Sequence, residues 1–270
     1  LCNIQMSVPL RVTHLWGETR EFAEEAAKRG RITTIVDDWK SLYQKVDAVA
    51  IAHRDGREHS TPAAWFIERK VPTFIDKPMT CSLKEALSLF SLADFHSCPL
   101  LTFSSKPLQQ GFQSFADDVA SRGRIAAFHS NGPTDIDSIY GGIFYYGIHQ
   151  VDCALEVMGT EVRTASVVRE GDNGVAILFF KGGGVATINL LKNGEGGFHW
   201  TAFTESGIFS VGNQRDPVPH LVTTRILSEF VHAGNVPFSR ERMLMPIAVL
   251  EALNRSLYSG RPERVPSLTE

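Results

Sequence analysis

Residues 46–78 read VDAVAIAHRDGREHSTPAAWFIERKVPTFIDKP, and the order of residue types in this stretch decides the fold class. Val46 to Ala52 form a nearly continuous run of small and β-branched side chains, the pattern of a parallel strand covered on both faces. A helix is expected from about Thr61 to Arg69, with Ala63, Ala64, Phe66 and Ile67 turned toward that sheet. Val71 to Ile75 supply the next short strand, and Asp76-Lys77-Pro78 stops it. The stretch is a β-α-β unit. In open α/β sheets ligands bind beyond the carboxyl ends of the strands, so the places to look are His53-Arg54-Asp55-Gly56 and Asp76-Lys77-Pro78.

Upstream, Leu10 to Trp16 read as a strand, Thr19 to Arg29 as a helix closed by Gly30, and Ile32 to Ile35 as a further short strand. Asp37 or Asp38 is placed to cap a short helix carrying Trp39, Leu42 and Tyr43. Downstream, Ser82 caps a helix whose apolar positions are Leu83, Ala86, Leu87, Leu89 and Phe90, and Pro99 to Phe103 form the last strand of this half. Alternation of strand and helix with short connections predicts parallel strands joined by right-handed crossovers.

A helix from about Leu108 to Ser121 and a strand around Ile125 to His129 lead out of that repeat. After the polar loop Asp135 to Gly142, the spacing predicts a helix from Phe144 to Met158 with Phe144, Ile148, Val151 and Leu155 on one face and Gly159 ending it. Beside that face runs a stripe of Tyr145, His149, Asp152 and Glu156, near enough for neighbours to touch. Five strand-like runs follow, from Arg163, Gly174, Val185, Trp200 and Ile208, joined by turns such as Asp172-Asn173-Gly174 and Gly182-Gly183-Gly184, and they read as an antiparallel meander. Helices over Leu221 to Ala233 and Arg240 to Ser259 complete the chain. The fold class is α/β plus α+β: a Rossmann-like parallel-sheet domain over residues 1–104, then residues 105–270 with an open, mainly antiparallel sheet and flanking helices.

At 270 residues with 43% hydrophobic and 21% charged side chains, the chain can bury a substantial core. A net charge of −3 with no basic block argues against a nucleic-acid partner. No apolar run approaches the roughly 18 residues that span a bilayer, and no signal peptide opens the chain, so no membrane partner and a cytoplasmic location are expected. The four cysteines have no zinc-type spacing and read as free thiols; no metal is expected, because His149 has no second histidine at ligand spacing.

The order of these pieces resembles the Gfo/Idh/MocA oxidoreductases, named after glucose–fructose oxidoreductase, inositol dehydrogenase and a rhizopine-catabolism protein. The supports are VDAVAIA followed by Arg57-Glu58-His59, Asp76-Lys77-Pro78 where the family usually has Glu-Lys-Pro, Gly141-Gly142 leading into GIHQVD, and the closing LEALNRSLYSGRP. The resemblance implies an N-terminal Rossmann domain for NAD or NADP and a C-terminal sheet that mediates a homodimer or homotetramer. It also implies a small-molecule substrate, a sugar, polyol or related hydroxylated compound, held between the domains. Two departures stand out. The glycine-rich strand-turn-helix that opens family members is not in the text, which begins at the following unit with Leu1, and a truncated chain is the expected explanation. Tyr145 stands where the family commonly has an aspartate.

Hydride transfer at a carbinol needs a group to hold the oxygen and a group to move its proton. With the resemblance, Lys77 is the first and His149 the second, because a neutral imidazole accepts a proton near pH 7. Asp76 would keep Lys77 charged, Tyr145 would bond the substrate oxygen or orient His149, and Asp152 would fix the His149 tautomer. Lys106 is a further substrate-side candidate. Cofactor contacts are expected from Trp16, Glu18 and Arg20 at the adenosine ribose, and from Ala52, His53, Arg54, His59, Asp76 and Lys77 toward the nicotinamide. Arg20 reaching a 2′-phosphate would favour NADP, and Glu18 taking the ribose hydroxyls would favour NAD. Two other readings stay open: a catalytically silent metabolite-binding or interaction protein, and a hydrolase or lyase that uses tightly held NAD transiently.

Overall fold

The computed structural model describes residues 9–192, 197–212 and 220–268. Cys2 lies outside them. The N-terminal half contains β1 (His14–Leu15), α1 (Arg20–Gly30), β2 (Thr34–Ile35), β3 (Val49–Ile51), α2 (Ser60–Ile67), β4 (Thr73–Ile75), α3 (Leu83–His96) and β5 (Leu100–Thr102). All strand pairs here are parallel, in two sheets: β1 with β2, and β3-β4-β5.

The strands are shorter than their apolar runs. β3 covers three residues of the seven expected, β1 two, and each strand extends only as far as its neighbour can bond it. Pro72 and Pro99 precede β4 and β5, have no N–H, and contribute carbonyls only, to Val49 at 2.9 Å and Thr73 at 3.0 Å. The helices follow the reading closely. Thr19 caps α1, Asp38 caps a single 3₁₀ turn at Trp39–Leu42, and Ser82 caps α3. One end differs: Gly30 remains helical and Arg31 takes the left-handed cap at φ 52°.

The second half runs α4 (Gln110–Ala120), β6 (Ile125–Pro133), α5 (Phe144–Met158), β7 (Val162–Glu170), β8 (Asn173–Phe180), β9 (Val185–Leu191), β10 (His199–Thr204), β11 (Gly207–Gly212), α6 (Leu221–Ala233), α7 (Arg240–Ser259) and β12 (Glu263–Arg264). Its sheet has the order β11-β10-β6-β9-β8-β7-β12. The expected simple meander is corrected here: β7, β8 and β9 form one, but β6 inserts between β9 and β10 and runs parallel to β9. Gly182-Gly183-Gly184 is the β8–β9 turn, as its flanking strands required.

α5 and α7 pack on one face of this sheet, over Phe128, Leu178, Ile188, Trp200 and their neighbours. One hydrophobic core runs from Ile51 and Ile75 in the first half through α5 to Leu253 in α7, so the halves share a packed boundary. Cys81, Cys98 and Cys153 are free; burial pushes the thiols of Cys81 and Cys98 up to about 12 and about 11, which leaves them protonated and inert.

Candidate active site

The connections after β3, β4 and β5 lie at the carboxyl ends of three paired parallel strands and meet the first turns of α5. His59 fastens the first two. Its ring is fully buried, with Nδ1 at 2.9 Å from the Pro78 carbonyl and Nε2 at 3.0 Å from the His53 carbonyl. With both nitrogens engaged by main chain, His59 is a staple between loops; the expectation that it contacts a cofactor is corrected. Asp55 accepts from the Arg57 amide at 3.0 Å and from its guanidinium, and these bonds hold the Asp55 carboxyl below the usual range. Arg57 Nη2 also donates to the Ile139 carbonyl at 2.6 Å, which ties the 135–142 loop to the loop after β3. Gly141 (φ 100°) and Gly142 (φ 61°) make the turn into α5 in a region that L side chains rarely adopt, and a Cβ on Gly141 would meet Cys81 Sγ at 2.8 Å.

His149 is the centre of the cluster. It is buried, and its Nδ1 lies 2.8 Å from Ser104 Oγ, which also accepts from the Lys106 amide at 3.2 Å. In the tautomer protonated on Nδ1 the ring donates to Ser104, and Nε2 keeps a lone pair with no hydrogen-bond partner among the described residues. Burial, then the charges of Lys77 and Lys106, push the imidazole well below its ordinary value of 6.5, so it is neutral at pH 7. Lys77 Nζ stands 3.6 Å from Asp76 and within 6 Å of two ring centroids, Tyr145 at 5.9 Å and Tyr146 at 5.8 Å. Lys106 Nζ lies 4.4 Å from the centroid of Phe198, and burial lowers its pKa.

Aromatic rings connect these groups. Tyr140, Tyr145, Tyr146, His149, Phe198 and Trp200 follow one another with centroids 4.9 to 6.0 Å apart. Arg54 stacks on the Tyr140 end at 5.8 Å. At the end of β3, Trp16 packs 5.5 Å from His53, and His53 Nδ1 is buried with no hydrogen-bond partner among the described residues. Burial lowers the pKa of His53. Ala52 is exposed at the end of β3, Glu18 is exposed just before α1, and Arg20 is bound by Glu24 at 2.8 Å and Asp37 at 3.2 Å.

The structure separates the expected stripe on α5. Asp152 does not bond His149: it is buried against Arg242 of α7, which also binds Glu156 at 3.0 Å. Burial pushes the Asp152 carboxyl up, against the pull of Arg242 and of the Ser104 backbone amide, so its link to His149 runs through Ser104. The tyrosine against the imidazole is Tyr146, at 5.5 Å, and Tyr145 faces Tyr140 and Lys77. Ser104, Tyr146, Tyr140, Phe198 and Arg242 escaped the sequence reading. For Ser104 a signal existed: it follows β5, at the carboxyl end of a third parallel strand. Among the described residues no group of three or more histidines, cysteines or acids converges as a metal site would.

Residues 3–103 match the GFO_IDH_MocA model, described as an oxidoreductase family with an NAD-binding Rossmann fold. Solved structures of similar fold include a probable dehydrogenase from Thermotoga maritima, at 18% identity and TM-score 0.82, covering 97% of this chain and 94% of that one. The apo scyllo-inositol dehydrogenase from Lactobacillus casei aligns at 12% identity and TM-score 0.85, covering 98% and 94%. An oxidoreductase from Agrobacterium radiobacter, solved with NAD+, L-tartaric acid and magnesium, aligns at 15% and TM-score 0.76, covering 94% and 90%. No match is found among curated protein sequences. At these identities the structural likeness defines the two-domain fold.

Proposed function

We propose that this chain is an NAD-dependent dehydrogenase or reductase acting on the CH–OH group of a small hydroxylated molecule, with Lys77 and His149 as its catalytic residues. The observation that carries the reading is a buried imidazole, held neutral and fixed through Nδ1, that shares the Tyr146 ring with the Lys77 ammonium at the carboxyl ends of parallel strands. The nicotinamide end of the cofactor is supported by the buried, partnerless Nδ1 of His53 beside Trp16, with Ala52 and Arg54 adjoining. Arg20 is already engaged by two carboxylates while Glu18 stands exposed before α1, which favours ribose hydroxyls over a 2′-phosphate, hence NAD over NADP. Bound NAD supplies the hydride acceptor in the oxidising direction and the donor in reverse.

The chain's own residues do the rest. Lys77 donates to the substrate oxygen and stabilises the charge that develops on it, with Asp76 keeping the ammonium in place. His149 Nε2 takes the hydroxyl proton as the carbinol becomes a carbonyl, and returns it in the reverse direction. Ser104 is a positioning residue, setting the tautomer; the Tyr145 hydroxyl is available to the same oxygen. The division between domains is placed after Ser104, where the chain leaves β5 for α4. A homodimer or homotetramer is supported by the uncovered face of the seven-stranded sheet, where Phe179, Val185, Ala127, Phe203 and Ile208 align in one cross-strand row. Three of these, Phe179, Phe203 and Ile208, are exposed large apolar side chains.

Lys77→Ala should lower kcat by about 100- to 1000-fold and leave the unfolding temperature unchanged, with dinucleotide binding followed by tryptophan quenching. Unchanged kcat would falsify the assignment of Lys77.

A further inference from the structure

Two ammonium groups act on His149, Lys77 through the Tyr146 ring that both touch and Lys106 through Phe198, and the two are not equivalent. Lys77 is matched by Asp76 at 3.6 Å. Lys106 has no carboxylate within ion-pair distance among the described residues; its Nζ lies over Phe198 at 4.4 Å, and its one polar partner is Gln109 Oε1 at a long 3.4 Å. The nearby acids are committed elsewhere, Asp55 to Arg57, Asp76 to Lys77 and Asp152 to Arg242. Lys106 is also tied to the reacting centre. Its amide donates to the Ser104 oxygen that holds His149, and the ring beneath its ammonium is 5.9 Å from the imidazole.

A partly buried ammonium with an aromatic face below and no counter-charge is costly to leave unpaired. We infer that Lys106 receives a carboxylate of the substrate, so that the site selects a hydroxy acid or sugar acid over the corresponding neutral polyol. The inference rests on the oxidoreductase reading for the identity of the reacting hydroxyl. Lys77 and His149 hold that hydroxyl, Lys106 binds the acid group beside it, and Tyr146 and Phe198 flank the carbon skeleton between. A single ammonium suits one carboxylate; the Arg54 guanidinium sits at the far end of the aromatic row on Tyr140, away from Phe198. An ammonium paired with a carboxylate gains the attraction of two full charges, which a hydroxyl does not offer, and that difference is the source of the selectivity.

The test uses the 270-residue chain with matched pairs, D-gluconate against D-glucitol and D-galactonate against galactitol. Turnover is followed with NAD, and binding of each compound is measured separately by calorimetry. Acids should be preferred by about 100-fold in kcat/KM, and Lys106→Met should reduce that preference about 30-fold through a raised KM for the acid, with Lys106→Arg retaining part of it. Equal use of acid and polyol, or a Lys106→Met variant that weakens both alike, overturns the inference. The two readings fail differently. Acid binding that is weakened by Lys106→Met, in a protein that binds no dinucleotide, keeps the carboxylate site and removes the dehydrogenase. Dinucleotide binding with neither acid bound nor turned over removes the carboxylate site and keeps the dehydrogenase.

Discussion

The two halves of the molecule invest their residues differently. In the first, among the described residues, no strand exceeds three residues, the sheet is in two pieces, and α1 buries only Ala23 and Ala27. In the second, seven strands form one sheet and α7 alone buries ten side chains, Met243 to Ser256. Yet three of the loops that assemble the candidate site come from the first half, at the ends of β3, β4 and β5, and the second half adds the 135–142 loop. Short strands bring loop residues close together with little side-chain bulk between them, whereas long strands and buried helices supply the apolar area that holds a fold together. His149 belongs to both: it is carried by a helix of the stable half and faces the loops of the other.

The comparison breaks first at Asp152. Replacing it with alanine leaves the half-buried Arg242 without its main partner and should cost about 3–5 kcal/mol in urea unfolding. A loss under 1 kcal/mol would mean that Glu156 alone satisfies the guanidinium and that the α5–α7 contact is less decisive than its burial implies. A smaller effect comes from His149. Its folded pKa lies below the 6.5 of the unfolded chain, so as pH falls through 6.5 the unfolded state takes a proton that the folded state refuses. Stability should be full above pH 6.5 and decline below it by up to about 1.4 kcal/mol per pH unit, and His149→Gln should flatten that decline. The acidic limb of kcat should likewise lie below pH 6.5; a limb above it would show a charged imidazole and reverse the assignment of His149 as a base. The smallest effect belongs to the first half: Thr19→Ala removes the cap of α1, whose oxygen accepts from Phe22 N at 3.2 Å, and should cost about 1 kcal/mol. Were it to cost as much as Asp152→Ala, the assignment of stability to the second half would fail.

Much of this was legible in the residues. The bounds of α5, α6 and α7 follow from apolar spacing and from glycines at 159, 234 and 260, because helix formation is governed by local propensity, caps and one periodic face. A motif and strand-end logic pointed to Lys77 and His149, the residues proposed above as catalytic. The misreadings share one cause. Asp152 stands three residues from His149 on the same helix, and local spacing suggested a bond; the competing partner, Arg242, is 90 positions away. His59 carries the chemistry of a ligand-binding residue, and only the carbonyls of His53 and Pro78 reveal it as a staple.

The sequence by itself determined the element types, their order, and the two loops where ionisable groups gather, since each depends on side chains within a few residues of one another. Tertiary structure decided the parallel insertion of β6 between β9 and β10, the pairing of Ser104 with His149, and the contrast between a matched Lys77 and an unmatched Lys106. Those outcomes depend on which distant groups meet when the core closes, and the charges and hydrogen bonds of the site are settled by that meeting.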